Sequence, residues 1–229
     1  MTNLIYQKKL FEYFKDFITN ERLKRFEDVI QNRTRHITVA LEDIYQSHNT
    51  SAVLRSCDCF GIQDVHIIEN KNTYQVNPDI ALGASKWLNI YEYNSYENNT
   101  LDCIFILKQK GYKVLATTPH NSSVNISQIT PDNKIALLFG TEKEGLSDIA
   151  LDNADAHIKI PMYGFTESFN ISVTVALFLA NLTEKLHNSE INWQLNKEDT
   201  YPILVEWCKN TIKNAHLLEK KFKTENNYL

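Results

Sequence analysis

The chain has 229 residues, 43% of them hydrophobic, enough for a sizeable core in one domain or one and a half. No apolar run approaches a membrane span, and the opening MTNLIYQKKLFEYFKDF scatters Lys8, Lys9, Glu12, Lys15 and Asp16 through its apolar positions, unlike a signal peptide, so a cytoplasmic protein with no membrane partner is expected. The formal charge of −4 counts against a nucleic-acid partner as a sum but not as a distribution, since residues 1–36 carry +3, residues 37–202 carry −9 and residues 203–229 carry +2.

In chain order, Leu4, Leu10, Phe11, Phe14, Phe17 and Ile18 recur at helical spacing, and Thr19 or Asn20 caps a second helix to about Gln31. This stretch leads into the densest basic cluster, Arg22, Lys24, Arg25, Arg33 and Arg35, which reads either as a solvated helix face or as a phosphate-contacting arm. Strands are expected at Ile37–Leu41, Val65–Ile68, Val114–Thr117, Ile135–Phe139 and Ile158–Ile160. Helices are expected between them at about Thr50–Phe60, Asn98–Lys110 with Gly111 as its stop, and Leu146–Asn153. Apolar strands alternating with helices predict an α/β fold with a parallel sheet flanked by helices on both faces. A long helix over Ser168–Leu186 and a final one from Pro202 to about Lys223 complete the chain. Cys57, Cys59, Cys103 and Cys208 form no CxxC pair or His/Cys cluster, so free thiols and no metal are expected.

Three short blocks place polar residues beside these apolar runs: Asn49–Arg55 (NTSAVLR), Phe139–Leu146 (FGTEKEGL) and Ile160–Ile171 (IPMYGFTESFNI). All sit at element ends, where α/β proteins build sites, so one active site is expected. The chain has only six glycines, and Gly140, Gly145 and Gly164 all fall in the second and third blocks, which predicts a tight, ligand-facing loop after the strand IALLF. Gly140–Ser147 spells G-x-x-x-x-G-L-S, a phosphate-loop pattern with Leu146 in place of its lysine, and the missing charge argues against nucleotide hydrolysis. No G-x-G-x-x-G follows a strand, which argues against a nicotinamide or flavin cofactor. Arg55, on the apolar helix SAVLRSCDCF, is expected to be partly buried and to need a carboxylate such as Glu42, Asp43 or Glu142, or else a phosphate.

Taken together, HNTSAVLRSCDCFG, LLFGTEKEGLS and IPMYGFTESFNISV resemble the three signature motifs of the SpoU-type RNA 2′-O-ribose methyltransferases of the SPOUT superfamily, in order and at suitable distances. The resemblance extends to TNERLKRFEDVI, GASKW and VLATT, which are similar to the TrmH branch, and covers roughly residues 19–187. It implies a deep trefoil knot formed by the second and third blocks, an exception to the general absence of knots. The organisation implied is an N-terminal helical RNA-contacting extension (1–36), a knotted methyltransferase domain (37–187) and a C-terminal helical extension (188–229), acting as a homodimer.

What the resemblance further implies is 2′-O-methylation of guanosine-18 in the tRNA D-loop. The methyl donor S-adenosylmethionine would be held by Thr117, Gly140, Ile160 and Phe169, with Leu138 and Met162 nearby; Phe169 stands where leucine is common. The catalytic role falls on Arg55, with Asn49, Glu142, Ser168 and Asn170 around it. Asn49 and Glu142 would hold Arg55, while Ser168 and Asn170 cap the last helix and shape the pocket, a plain cap being the other reading of Ser168. A guanidinium is too weak an acid for literal deprotonation, so Arg55 is expected to clamp the substrate phosphate and orient the hydroxyl. Arg22, Arg25 and Lys86 fall where relatives contact tRNA. Where those relatives often carry two arginines this chain has Glu184 and Leu186 around Lys185, and lysines 209, 213, 220, 221 and 223 are candidates to replace the charge. Two other readings stay open: the same chemistry on ribosomal RNA, or a non-catalytic RNA-binding protein of this fold.

Overall fold

The computed structural model describes residues 2–74, 81, 83–119 and 123–228. In chain order its elements are helices α1 (Thr2–Lys15) and α2 (Asn20–Ile30), strand β1 (Ile37–Glu42), α3 (Ser47–Cys59), β2 (Asp64–Ile68), β3 (Asn89–Tyr93), α4 (Asn99–Gln109), β4 (Lys113–Thr117), β5 (Val124–Asn125), β6 (Ile135–Phe139), α5 (Asp148–Asn153), β7 (Ala156–Lys159), α6 (Ile171–His187), α7 (Lys197–Thr211) and α8 (Ala215–Glu225). Residues 1–33 and 194–229 fall in one compact unit and residues 34–193 in another, so the two distant basic ends belong together.

The larger unit is built on a parallel seven-stranded sheet of order β3-β2-β1-β6-β4-β7-β5. Strand alternation sorts its core into two layers. Ile37, Val39 and Leu41 of β1, Ile135, Leu137 and Phe139 of β6 and Leu115 of β4 pack with Val53 and Leu54 of α3 and Val175, Phe178 and Leu182 of α6. Ala40, Ala136, Leu138, Val114 and Ala116 face the other way, onto Cys103, Ile104 and Leu107 of α4 and Ala150 of α5. Each buried Val, Leu or Ile among these is worth ~1.5–3 kcal/mol, and Phe139 adds a T-shaped contact to Phe178 at 5.7 Å between centroids.

The expected strands and helices are present with shifted ends; β3 and β5 were not expected. Both lie at sheet edges, where half-exposed residues such as Glu92 and Asn125 break the apolar run that marks a buried strand. The single final helix is also corrected. Ile212 is extended and Asn214 left-handed at φ 59°, which separates α7 from α8, and Pro202 lies inside α7 rather than at its start.

The helical unit closes around Glu219, which accepts from Tyr6 Oη (2.8 Å) of α1, Lys209 Nζ (2.8 Å) of α7 and Lys223 Nζ (3.1 Å) of α8. Burial raises its pKa, but these donors outweigh burial and hold it down at about 2.

His66, buried in the centre of the sheet unit, stacks on Tyr91 at 5.0 Å, and its Nδ1 lies 2.9 Å from Tyr93 Oη. Burial, followed by the charge of Lys110, lowers its pKa to about 3. The unfolded chain therefore takes up the proton first, and the stability that neutral His66 contributes is complete above pH 6.5 and is lost as pH falls toward 3. The limiting slope is ~1.4 kcal/mol per pH unit. Asp64, whose pKa burial raises against the opposing charge of Arg35, works in the opposite sense. A His66→Gln variant should show a flatter loss of denaturation midpoint between pH 6.5 and 4 than the parent chain.

Candidate active site

The three polar blocks converge beyond the carboxyl ends of the parallel strands. Gln46 is the N-cap of α3, which puts Asn49 in its first turn, buried. Beyond β6, Thr141 and Gly145 exchange two backbone hydrogen bonds of 3.0 Å each, making a tight loop with Gly145 at φ 73° and Glu142 within it. Gly140 has its own reason to be glycine: a Cβ there would overlap the backbone of Gly145 and Leu146. The close approach that the glycine permits is therefore the chain's own. In the third block Asn170 is the N-cap of α6, its Oδ1 accepting from Ser172 N at 2.9 Å.

Glu142 joins these pieces. Its Oε1 accepts from Asn49 Nδ2 (3.1 Å), Asn170 Nδ2 (2.6 Å) and the amide of Ile171 (3.3 Å). Asn170 Nδ2 also reaches Asn49 Oδ1 at 3.1 Å, and Asn49 Nδ2 reaches Gln46 Oε1 at 3.1 Å. A carboxylate offers only acceptors and the two amides supply the donors, so the network is closed. A second carboxylate, buried Glu42 at the end of β1, accepts from Ser147 N (2.8 Å), Ser147 Oγ (2.7 Å) and Thr100 Oγ1 (2.6 Å). It fixes the far end of the same loop. From sequence, Glu42 stands only as an ion-pair partner for Arg55 and Ser147 falls inside the helix expected at Leu146–Asn153; Ser147 is instead the N-cap of α5, its hydroxyl accepting from Ala150 N at 3.1 Å.

Arg55 departs from expectation. It is exposed, and among the described residues it makes no hydrogen bond or ion pair, so neither Asn49 and Glu142 nor Glu42 and Asp43 hold it. Six helical residues rotate Arg55 by about 120° from Asn49, while its neighbours Val53, Leu54 and Cys57 take the buried face. Ser168 is also corrected in part: it is exposed and precedes the cap, which is Asn170 alone.

Beside the network, Thr117, Thr118 and Pro119 at the end of β4 and Ile158, Lys159 and Ile160 of the β7 segment form an open cleft of about 100 Å³ with Met162, Glu167, Ser168, Phe169 and Phe178. Thr117, Ile160, Met162 and Phe169 thus share one wall system. Leu138 and Gly140 do not line it: the Leu138 side chain is buried in the opposite layer, and its carbonyl accepts from Thr117 Oγ1 at 2.8 Å. Apolar walls with a few hydroxyls and the charged Lys159 and Glu167 suit a molecule part aromatic and part zwitterionic. Among the described residues no group of three or more His, Cys, Asp or Glu could hold a metal ion, and no helix is long and apolar enough to cross a membrane.

The basic residues separate into two kinds. Arg22, Lys24 and Arg25 of α2 and Lys86 are exposed. Arg33 is buried against Trp207 at 5.5 Å, and Arg35 pairs with Asp64 at 3.0 Å, so these two belong to the packing. Lys209 and Lys223 are paired with Glu219 and Lys221 approaches Glu225 at 3.7 Å, which leaves Lys213 and Lys220 as the less committed members of that set. Lys185 is spent internally, donating to the carbonyls of Ile126 (3.0 Å), Ser127 (2.9 Å) and Ile129 (2.8 Å), and Leu186 is fully buried.

Fold and site together define an α/β protein with a small-molecule cleft beside a closed polar network, both at strand carboxyl ends. The chain belongs to the SpoU rRNA Methylase family, which matches residues 36–180. It is 42% identical over 203 residues, 89% of this chain and 91% of the relative, to a protein of Borreliella burgdorferi named tRNA (guanosine(18)-2′-O)-methyltransferase. The crystal structure of the Aquifex aeolicus TrmH/SpoU tRNA modifying enzyme superposes with a TM-score of 0.76 at 27% identity, covering 85% of this chain and 98% of that one. An AdoMet-bound rRNA methyltransferase from Sinorhizobium meliloti shares the fold at 22% identity and a TM-score of 0.57, over 68% of this chain and 58% of that one.

Replacing Glu142 by Ala removes the acceptor of three N–H groups. The expected cost is roughly 1–3 kcal/mol in chemical denaturation, with faster amide exchange at Ile171 and Ser172.

Proposed function

We propose that this chain transfers a methyl group from S-adenosylmethionine to the 2′-hydroxyl of guanosine-18 in the tRNA D-loop. The observation that carries the reading is the Asn49–Glu142–Asn170 network set against the apolar cleft of Thr117, Ile160, Met162 and Phe169. The relative at 42% identity bears the corresponding name. Bound in that cleft, the cofactor would supply an electrophilic methyl on a sulfonium. Leu138 supports the cleft indirectly, its carbonyl holding the Thr117 hydroxyl, Gly140 lets the adjoining loop close on itself, and Ser168 is among the lining residues.

Arg55 clamps a substrate phosphate and so orients the attacking hydroxyl, a role consistent with its exposure and its want of an ion-pair partner among the described residues. Asn49, Glu142 and Asn170 hold the loops in place. The segment of the second and third blocks threads a trefoil knot, a reading supported by the position of β6 between β1 and β4 with β7 beyond β4. Arg22 and Arg25 on the N-terminal extension, with Lys86, meet the RNA backbone. Two copies pair through Val173 and Leu177, one turn apart on α6 and 45% and 41% exposed, with Phe169 before the cap at 43% and fully exposed Tyr163 and Phe165. The protein acts in the cytoplasm.

Labelled methyl donor and a tRNA transcript carrying guanosine-18 or its 2′-deoxy form test the reaction: label should enter only the ribose form, and equal labelling of both overturns the assignment. Arg55→Ala should lower kcat by ~10²-fold or more with cofactor affinity unchanged. Near-full rate across pH in Arg55→Lys would remove the clamp from the mechanism. Val173→Lys combined with Leu177→Glu should sediment as a monomer.

The diversion of Lys185 into the fold, with Glu184 and Leu186 beside it, favours a second reading in which the substrate is ribosomal RNA. Mapping ribose methylation in a strain lacking the protein decides between them, since loss confined to a ribosomal nucleotide would exclude tRNA.

A further inference from the structure

We infer that Tyr45 is a stacking platform for the base of the nucleotide whose ribose is methylated, a subsite that rests on the RNA methyl-transfer reading above. The observation behind it is an exposed aromatic on a built segment. Tyr45 is 80% exposed, yet its neighbours on both sides are fixed: Ile44 packs against the core and Gln46 caps α3. Just before them Asp43 takes a left-handed conformation at φ 53°, and its Oδ1 accepts the amides of Asn70 (2.7 Å), Lys71 (2.8 Å) and Asn72 (3.2 Å). The Asp43 carbonyl accepts from Asn72 Nδ2 at 2.9 Å. Exposing a phenol ring forgoes its burial, and here the backbone beneath it is pinned rather than loose.

The surroundings point to a nucleotide. Tyr45 lines a second cleft, about 440 Å³ and open to solvent, together with Asn49 and Glu142 of the polar network and Asn72, Lys71, Lys143 and Glu144. Lys71 approaches Glu144 only at 3.8 Å with both side chains over 70% exposed, an ion pair too screened to occupy the ammonium. A flat aromatic face, amide groups and rim cations are what a splayed-out nucleotide requires: the ring for the base, the cations for phosphate. Tyr163 and Phe165, also exposed, do not line this cleft.

The test is a cycle between side chain and base. Turnover and RNA dissociation constants are measured for the parent chain, Tyr45→Phe and Tyr45→Leu, on transcripts with guanosine-18 or with an abasic ribose at that position, the 2′-hydroxyl kept in both. Tyr45→Phe should stay within ~2-fold of the parent, and Tyr45→Leu should lose ~5- to 150-fold in affinity or kcat/KM for intact RNA. The KM for S-adenosylmethionine should not move, and on abasic RNA the Leu penalty should shrink to under ~2-fold. An equal penalty on both transcripts, or none on either, overturns the subsite while leaving the methyl-transfer reading standing. Absence of methyl transfer by the parent chain to intact RNA overturns both.

Discussion

One carboxylate oxygen, Oε1 of Glu142, holds together segments more than ninety residues apart in sequence. The helices it joins, α3 and α6, are each anchored by their own apolar faces on the same side of the sheet. Burial places such helices but is non-directional, and it leaves their first turns free to settle by an ångström or more. Directional bonds from Asn49, Asn170 and the Ile171 amide remove that freedom at the point where a reaction needs it removed. The loop carrying Glu142 is in turn fixed at both ends, by the Gly140–Gly145 contact and by Glu42 on Ser147. The polar geometry is therefore set by the chain's own side chains and main chain.

The central strands were legible because sheet strands buried on both faces read as continuous apolar runs, as IALLF does. Edge strands β3 and β5 carry no such signature. The three blocks were legible as a common site because polar residues recur where the pattern calls for apolar ones. Their inner arrangement was less so. Arg55 was expected among carboxylates, but residue type alone does not orient a side chain, and the helical phase set by Val53, Leu54 and Cys57 turns it outward. The glycines were readable as backbone requirements, though not which backbone would fill the space beside Gly140. Tyr45 left no trace in the pattern, since an aromatic next to Ile44 reads as core until the fold shows it exposed.

Lys185 is a cation committed to the fold rather than to solvent. Its three carbonyl acceptors close the 3-10 turn Ile126–Gln128 that follows β5, the edge strand paired to β7, and β7 lines the smaller cleft. A residue at a position that could face RNA supports the cleft wall.

The division of charge between the two units has an energetic sense of its own. Residues 1–33 and 194–229 sum to +3 and residues 34–193 to −7, so a polyanion meets attraction at the helical unit and repulsion at the sheet unit. A duplex offering only phosphates gains little from the whole molecule, because what one unit contributes the other withdraws. Lasting residence needs shape or base contacts that outweigh the acidic field, and raising the salt concentration screens attraction and repulsion alike. The formal charge of the sheet unit thus disfavours nucleic acid that has nothing to present beyond its backbone.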